Sequence, residues 1–372
     1  MPLRKHIATL LALLCTALSF GQSQAVWSGA VHRGFLIPHR SNVLHLVQGH
    51  TLGAELNVEW LAKEKAAWSL AYSDPTVGVD AYFTSTGNRE QLGHQFAVHG
   101  FARLPLGDTY VTQTLKLGVG LGYATRTWDL QENLRAPMVG SHLNAALVLQ
   151  YNACVHIRGW ALQTGVRLEH FSNGAFQLPN LGTNIASVSL GFGPRIPVHM
   201  RPMFTVTDLP YDLTDRFETR RYGQWTASLS AGIKEVGDPL GPKYGVFILS
   251  TMYQRRWSYK SSWAAGADVF YNRSMPAALN DPEAGIGKQL LLGLYGAYLL
   301  HFNAFELQLG MGAYMVDPYK GYGTFYHRFG LKYWATERLF AQFMLKTHFA
   351  RADHGELGMG MLIGNRQNLK QR

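Results

Sequence analysis

Long apolar runs are what this sequence has least of. Beyond the N-terminus the longest nearly unbroken one, residues 290–300, covers about 11 positions, where a membrane-spanning helix needs roughly 20. A helical membrane protein is therefore excluded. Charge is scarce as well, at 16% against roughly 25% in an ordinary soluble domain. Cysteine occurs only as Cys15 and Cys154. Cys15 lies in an N-terminal export segment, so the mature chain keeps one thiol and forms no internal disulfide. Apolar residues, by contrast, make up 47% of the chain, and 39 of its 372 residues are glycine. That apolar content excludes wholesale disorder, yet the mean hydropathy is only −0.08. The apolar residues must be dispersed.

In the export segment, Arg4 and Lys5 precede an apolar stretch at 7–20, and Ser23 and Ala25 supply small residues for cleavage. Residues 1–25 read as a secretory signal peptide. Leu14 before Cys15 is too large for lipoprotein processing, which argues against a lipid anchor. The formal net charge of +10 suits contact with anionic lipid or glycan. Export makes nucleic acid the least suited partner.

The dispersion takes the form of period-2 alternation. Val111, Gln113, Leu115, Leu117, Val119, Leu121 and Tyr123 share one face, opposite Thr112, Thr114, Lys116, Gly118, Gly120 and Gly122. Trp225, Ala227, Leu229, Ala231 and Ile233 likewise oppose Gln224, Thr226, Ser228, Ser230, Gly232 and Lys234. Many such segments reach about 10 residues, longer than the usual 5–6 of a soluble sheet. An apolar face backed by small and polar residues is the pattern of an outer-membrane barrel. A closed barrel also satisfies every backbone amide in lipid. The expected fold is all-β: an outer-membrane antiparallel β-barrel with about 16 strands in two tandem blocks of about eight. The blocks are residues 26–196 and 222–364. Between them, 197–221 alternates poorly and contains Pro197, Pro202 and Pro210, so it reads as a linker or long loop. Residues 365–372 read as a polar tail. Strand counting leaves open two small barrels or one large one. Trp27, Trp128, Trp160, Trp225, Trp257 and Trp263 fall near strand ends and suit interfacial girdles. The blocks also echo each other, residues 115–120 in 307–312 and 170–172 in 348–350.

The run Gly-Val-Arg-Leu-Glu-His-Phe-Ser-Asn-Gly at 165–174 carries candidate chemistry. His170 and Ser172 are two apart on a strand, so both point to one face. A hydroxyl needs an adjacent base to become a nucleophile. Asn173 and Gly174 open a turn, where an amide and a backbone N–H can meet a developing oxyanion. Counting back by twos gives Leu168, Val166, Thr164, Leu162 and Trp160, the lipid-facing row. Polar groups ending such a row are unfavourable without a role, and an esterase attacking a membrane lipid needs them at that boundary. The bland alternative is a polar strand tip in the headgroup zone. His348 instead shares parity with Gln342 and Lys346, the lumen side, and Ala350 stands two residues on. The second block is therefore expected to be non-catalytic. His348, Asp353, His354 and Glu356 lack metal-site spacing, so neither metal nor cofactor is called for.

The His-Phe-Ser-Asn-Gly-Ala run at 170–175, followed by Pro179-Asn180 and Gly182, resembles the PagL-type lipid A 3-O-deacylases, or acyloxyacyl hydrolases. Residues 34–39, Gly-Phe-Leu-Ile-Pro-His, look like the first strand of such proteins. The long two-block form is similar to that of Bacteroidota members. The resemblance covers residues 26–196, and reaches the second block only through that long subgroup. It implies an eight-stranded outer-membrane barrel that hydrolyses an ester-linked acyl chain of lipid A, using a Ser-His-Glu triad without metal. Carried over, Ser172 is the nucleophile, His170 the general base, and Asn173 with the Gly174 amide the oxyanion hole. The family's triad glutamate falls at Asn184. Asparagine orients an imidazole without supplying charge, and such a change in a serine triad costs about 10⁴ in rate. Glu169 faces the opposite side and is a poor substitute. The expectation is an outer-membrane serine esterase acting on lipid A, the lipid anchor of lipopolysaccharide. The alternative is a non-enzymatic barrel, porin-like or an envelope scaffold, derived from that family.

Overall fold

The computed structural model describes residues 25–61, 67–108, 111–194, 222–349 and 351–368. The expected signal peptide (apart from Ala25) and the expected linker at 197–221 lie outside the described residues. The alternating segments form antiparallel strands. The first eight are β1 (Val26–Leu36), β2 (Thr51–Leu61), β3 (Thr76–Ser85), β4 (His94–Asp108), β5 (Thr112–Ala124), β6 (Leu143–Ile157), β7 (Trp160–Ser172) and β8 (Thr183–Pro194). Each pairs with the next, and β8 returns to β1, with Val31 opposite Leu190. The second eight are β9 (Tyr222–Glu235), β10 (Lys243–Arg256), β11 (Ser261–Asn272), β12 (Leu290–Phe302), β13 (Phe305–Val316), β14 (Phe325–Trp334), β15 (Leu339–His348) and β16 (Arg351–Asn368). β16 closes on β9, with Leu357 opposite Ala231. The described residues thus form two closed barrels of eight strands, not one of sixteen. Closure leaves no unpaired edge, as lipid requires.

Alternation sorts the side chains. Along β7, Trp160, Leu162, Val166 and Leu168 are exposed, while Ala161, Arg167, Glu169 and Phe171 are buried in the lumen. The lumens are filled with paired charges. In the first barrel Lys116 joins Glu55 and Asp80, Arg167 meets Glu169 at 2.6 Å, and His99 bridges Asp80 at 2.6 Å and Glu169 at 2.9 Å. In the second, Arg328 reaches Asp268 and Glu356, each at 2.6 Å, and Lys346 meets Asp353 at 2.8 Å. Charges at this depth persist only when partnered. The abundance of glycine has a packing cause here. A Cβ on Gly122 would come within 2.3 Å of the Phe171 ring, and one on Gly312 within 2.4 Å of Tyr326.

Aromatic pairs lie near strand ends in both barrels: Trp160 on Phe192 at 4.7 Å, Trp263 on Tyr298 at 5.0 Å, Phe305 on Tyr333 at 5.1 Å between centroids. Trp128 departs from the girdle expectation. It lies in the long β5–β6 connection, where its Nε1–H donates to the Leu134 carbonyl at 3.2 Å. The C-terminus also differs. The second block is expected to end at 364, with a polar tail from 365. Instead β16 runs to Asn368. A bulge after Ile363 breaks the alternation, and the ladder resumes with Gln367 opposite Gly223. The first echo falls on β5 and β13, the fifth strand of each barrel, and His170 and His348 lie on β7 and β15, the seventh.

Candidate active site

β7 delivers His170 and Ser172 to one end of the first barrel. Along its outward row Leu168 is exposed, His170 half-buried and Ser172 buried at 9%. His170 stands directly opposite Asn184 on β8. Its Nδ1–H donates to Asn184 Oδ1 at 2.6 Å, which leaves Nε2 with the lone pair. The Asn184 amide is oriented in turn, because its Nδ2 donates to His39 Nδ1 at 3.2 Å. His39 comes from the β1–β2 connection.

Ser172 Oγ accepts two hydrogen bonds, from Asn180 Nδ2 at 2.9 Å and from the Gly174 N–H at 3.3 Å. Among the described residues no hydrogen bond joins it to His170. Catalytic hydrogen bonds are often long before substrate binds. The Asn173 side chain does other work: its Nδ2 donates to Ser141 Oγ at 2.9 Å and to the Gln177 carbonyl at 2.8 Å. Both amide hydrogens are spent inside the loops. Of the expected oxyanion pair, Gly174 therefore faces Ser172 Oγ and the Asn173 amide does not. Asn180 takes that place, and its Oδ1 accepts the Asn173 N–H at 3.1 Å.

The β7–β8 loop, residues 173–182, is held from two sides. Within its own barrel, the Gly182 N–H donates to the Met138 carbonyl at 2.7 Å. Leu36, Val43, Leu46, Leu92, Met138 and Ile185 pack beneath as an apolar cluster. From the second barrel comes Glu235, the last residue of β9 and 3% exposed. Its Oε2 accepts the Leu178 N–H at 2.6 Å, and its backbone N–H donates to the Ala175 carbonyl at 3.0 Å. Lys243 sits over the Phe176 ring, 3.9 Å from its centroid.

Three other residues weighed from sequence lie elsewhere. Glu169 is tied to His99 and Arg167 in the lumen, on the far face from His170. His348 is buried inside the second barrel and pairs with the Tyr314 hydroxyl at 2.9 Å. Asp353 is engaged by Lys234 and Lys346. Asn180, His39 and Glu235 were not singled out by sequence reasoning. Asn180 and His39 stood inside quoted motifs, but they lie on connections, where strand parity assigns no direction.

Residues 50–193 match the family model of lipid A 3-O-deacylase (PagL), and residues 223–365 match that of the acyloxyacyl hydrolase C-terminal domain. The chain belongs to the PagL family. It is accordingly an outer-membrane protein. No curated protein matches it. Among solved structures, the outer membrane enzyme PagL is similar at 20% identity, over 46% of this chain and 100% of that one, with a TM-score of 0.31. A triple mutant of Rhodopseudomonas blastica porin aligns over 91% of this chain and 99% of that one, at 10% identity and a TM-score of 0.19.

Proposed function

We propose that this chain is an outer-membrane serine esterase that removes an ester-linked acyl chain from lipid A. The observation that carries the reading is the convergence at one strand end. His170 is held by Asn184 with Nε2 free, and Ser172 Oγ lies under two convergent N–H donors. In the proposed mechanism Ser172 Oγ attacks the acyl carbonyl carbon while His170 Nε2 takes its proton. The Gly174 N–H and Asn180 Nδ2 turn from Oγ to the oxyanion as it forms. Collapse expels the sugar hydroxyl, which recovers the proton from His170 and leaves an acyl-serine. Water then attacks the acyl-serine with His170 again as base, releasing a fatty acid. Asn184 holds the ring in the productive tautomer throughout. The outward row suits a substrate that arrives from the bilayer, because Leu168 just below faces lipid. Longer connections usually face the cell exterior, and the connection after β5 on this end is long.

A serine-reactive fluorophosphonate tests the nucleophile directly. With the purified full chain in detergent micelles, peptide mapping is expected to place the adduct on Ser172. An unlabelled chain, or labelling at another serine, contradicts the assignment.

A further inference from the structure

β1 carries a charge where its neighbours are apolar. Arg33 is exposed on the outward row of β1, between Val31 and Phe35, which are 62% and 50% exposed. Across the ladder it stands opposite Leu52 on β2 and Val188 on β8, both exposed as well. All of these side chains face lipid. Among the described residues, Arg33 is the only Lys, Arg, Asp or Glu on an outward row that lies more than two residues from a strand end. An arginine on the lipid face of a barrel is unfavourable, most at mid-bilayer and least beside the head groups. Such a residue marks a site with a partner to be named. No carboxylate among the described residues pairs with it. An arginine so placed keeps its stem on the apolar wall and turns its guanidinium toward the nearer strand end. β1 ends at Leu36, at the same end of the barrel as Ser172, the last residue of β7. The protein above that end is basic. The β1–β2 connection, residues 37–50, holds His39, Arg40, His45 and His50 and no Asp or Glu. His50 is pinned to β1, its Nδ1–H donating to the Gly34 carbonyl at 3.2 Å. His39 and Arg40 are exposed.

We propose that Arg33, with the basic β1–β2 connection above it, binds the head-group phosphate of an acidic bilayer lipid at the rim of β1. The inference goes beyond the esterase reading and stands whether or not Ser172 is a nucleophile. The guanidinium fork takes a phosphate through two parallel N–H donors. A lipid brings its phosphate to the depth of Arg33 and lays its chains on Val31, Phe35, Leu52 and Val188. Free phosphate satisfies the charge but leaves those side chains without a partner. A carboxylate cannot come from the connection, which has none.

The test uses the full chain in nanodiscs that hold phosphatidylglycerol and phosphatidylcholine in equal amounts. Phosphatidylglycerol is acidic, whereas phosphatidylcholine offsets its phosphate with its own ammonium. Native mass spectrometry counts the lipids that stay on the protein. The parent chain is expected to retain phosphatidylglycerol in preference. Arg33→Leu is expected to lower that preference about fivefold, the worth of one cation at a lipid surface. Arg33→Lys is expected to keep part of it, since lysine keeps the charge without the fork. Heat-modifiable mobility confirms that each variant is folded. Urea unfolding gives an independent reading. Arg33→Leu is expected to raise the midpoint in phosphatidylcholine vesicles, where nothing acidic meets the guanidinium. That gain is expected to shrink when phosphatidylglycerol is added. No preference in the parent chain, or the same preference in folded Arg33→Leu, overturns the proposal. So does an equal gain in both kinds of vesicle. Displacement of the retained lipid by inorganic phosphate would mark a simple anion site and overturn it too.

Discussion

Asn184 holds the His170 ring by one neutral hydrogen bond of 2.6 Å. In the proposed mechanism that bond selects the tautomer but adds no charge against the imidazolium. Asn184→Ala is expected to lower kcat roughly 10–100-fold, the rate equivalent of losing a hydrogen bond to a group that becomes charged. Asn184→Glu is expected to raise kcat above that of the parent chain. Steady-state hydrolysis of a chromogenic acyl ester measures both, and three equal values of kcat would remove Asn184 from the mechanism. Asn180 makes a second prediction. Its amide reaches Ser172 Oγ at 2.9 Å, so Asn180→Ala is expected to cost about 10²–10³ in kcat. Asn173→Ala is expected to cost less, because that amide is engaged by Ser141 and Gln177. The opposite order would return the oxyanion role to Asn173. His170 and Ser172 were legible in the sequence because a strand's period fixes which side a residue faces. Asn180 was not, because it reaches Ser172 only after the chain has turned back on itself.

The element that decides this site is the β7–β8 loop. Glu235 grips it at Leu178 and Ala175 from the neighbouring barrel. Glu235→Ala is expected to lower kcat on the chromogenic ester while heat-modifiable mobility remains that of a folded barrel. Losing a buried hydrogen bond to a charged group is worth about 1.5–3 kcal/mol, and here the loss loosens the Gly174 and Asn180 donors. An unchanged kcat would show that the first barrel orders the loop unaided. Alternation revealed the strands well, since one face must be apolar and the other small or polar. It failed at the end of β16, where the bulge after Ile363 shifts the pattern without ending the pairing. It also said nothing of Glu235, whose partners are fixed by how two barrels meet rather than by any local period.

At the scale of the whole molecule, the described residues form two barrels, each closed after eight strands. The sequence showed two tandem blocks but not where hydrogen bonding closes, because one sixteen-stranded sheet would have the same alternation. The lumens are occupied by side chains: Arg167, Lys116 and His99 are each 0% exposed in the first, as are His354 and Glu356 in the second. Planar bilayers holding the purified chain are therefore expected to show no sustained conductance steps. Stable porin-sized steps would contradict the filled lumens and favour a pore. The esterase reading meets its most direct test in the lipid itself. Mass spectrometry of lipid A from cells making the parent chain, the Ser172→Ala variant or neither compares the acyl content. The parent chain is expected to remove one acyl chain, and Ser172→Ala to leave lipid A identical to that of cells without the protein. Identical lipid A in all three, or equal deacylation by the parent and the variant, would contradict the account.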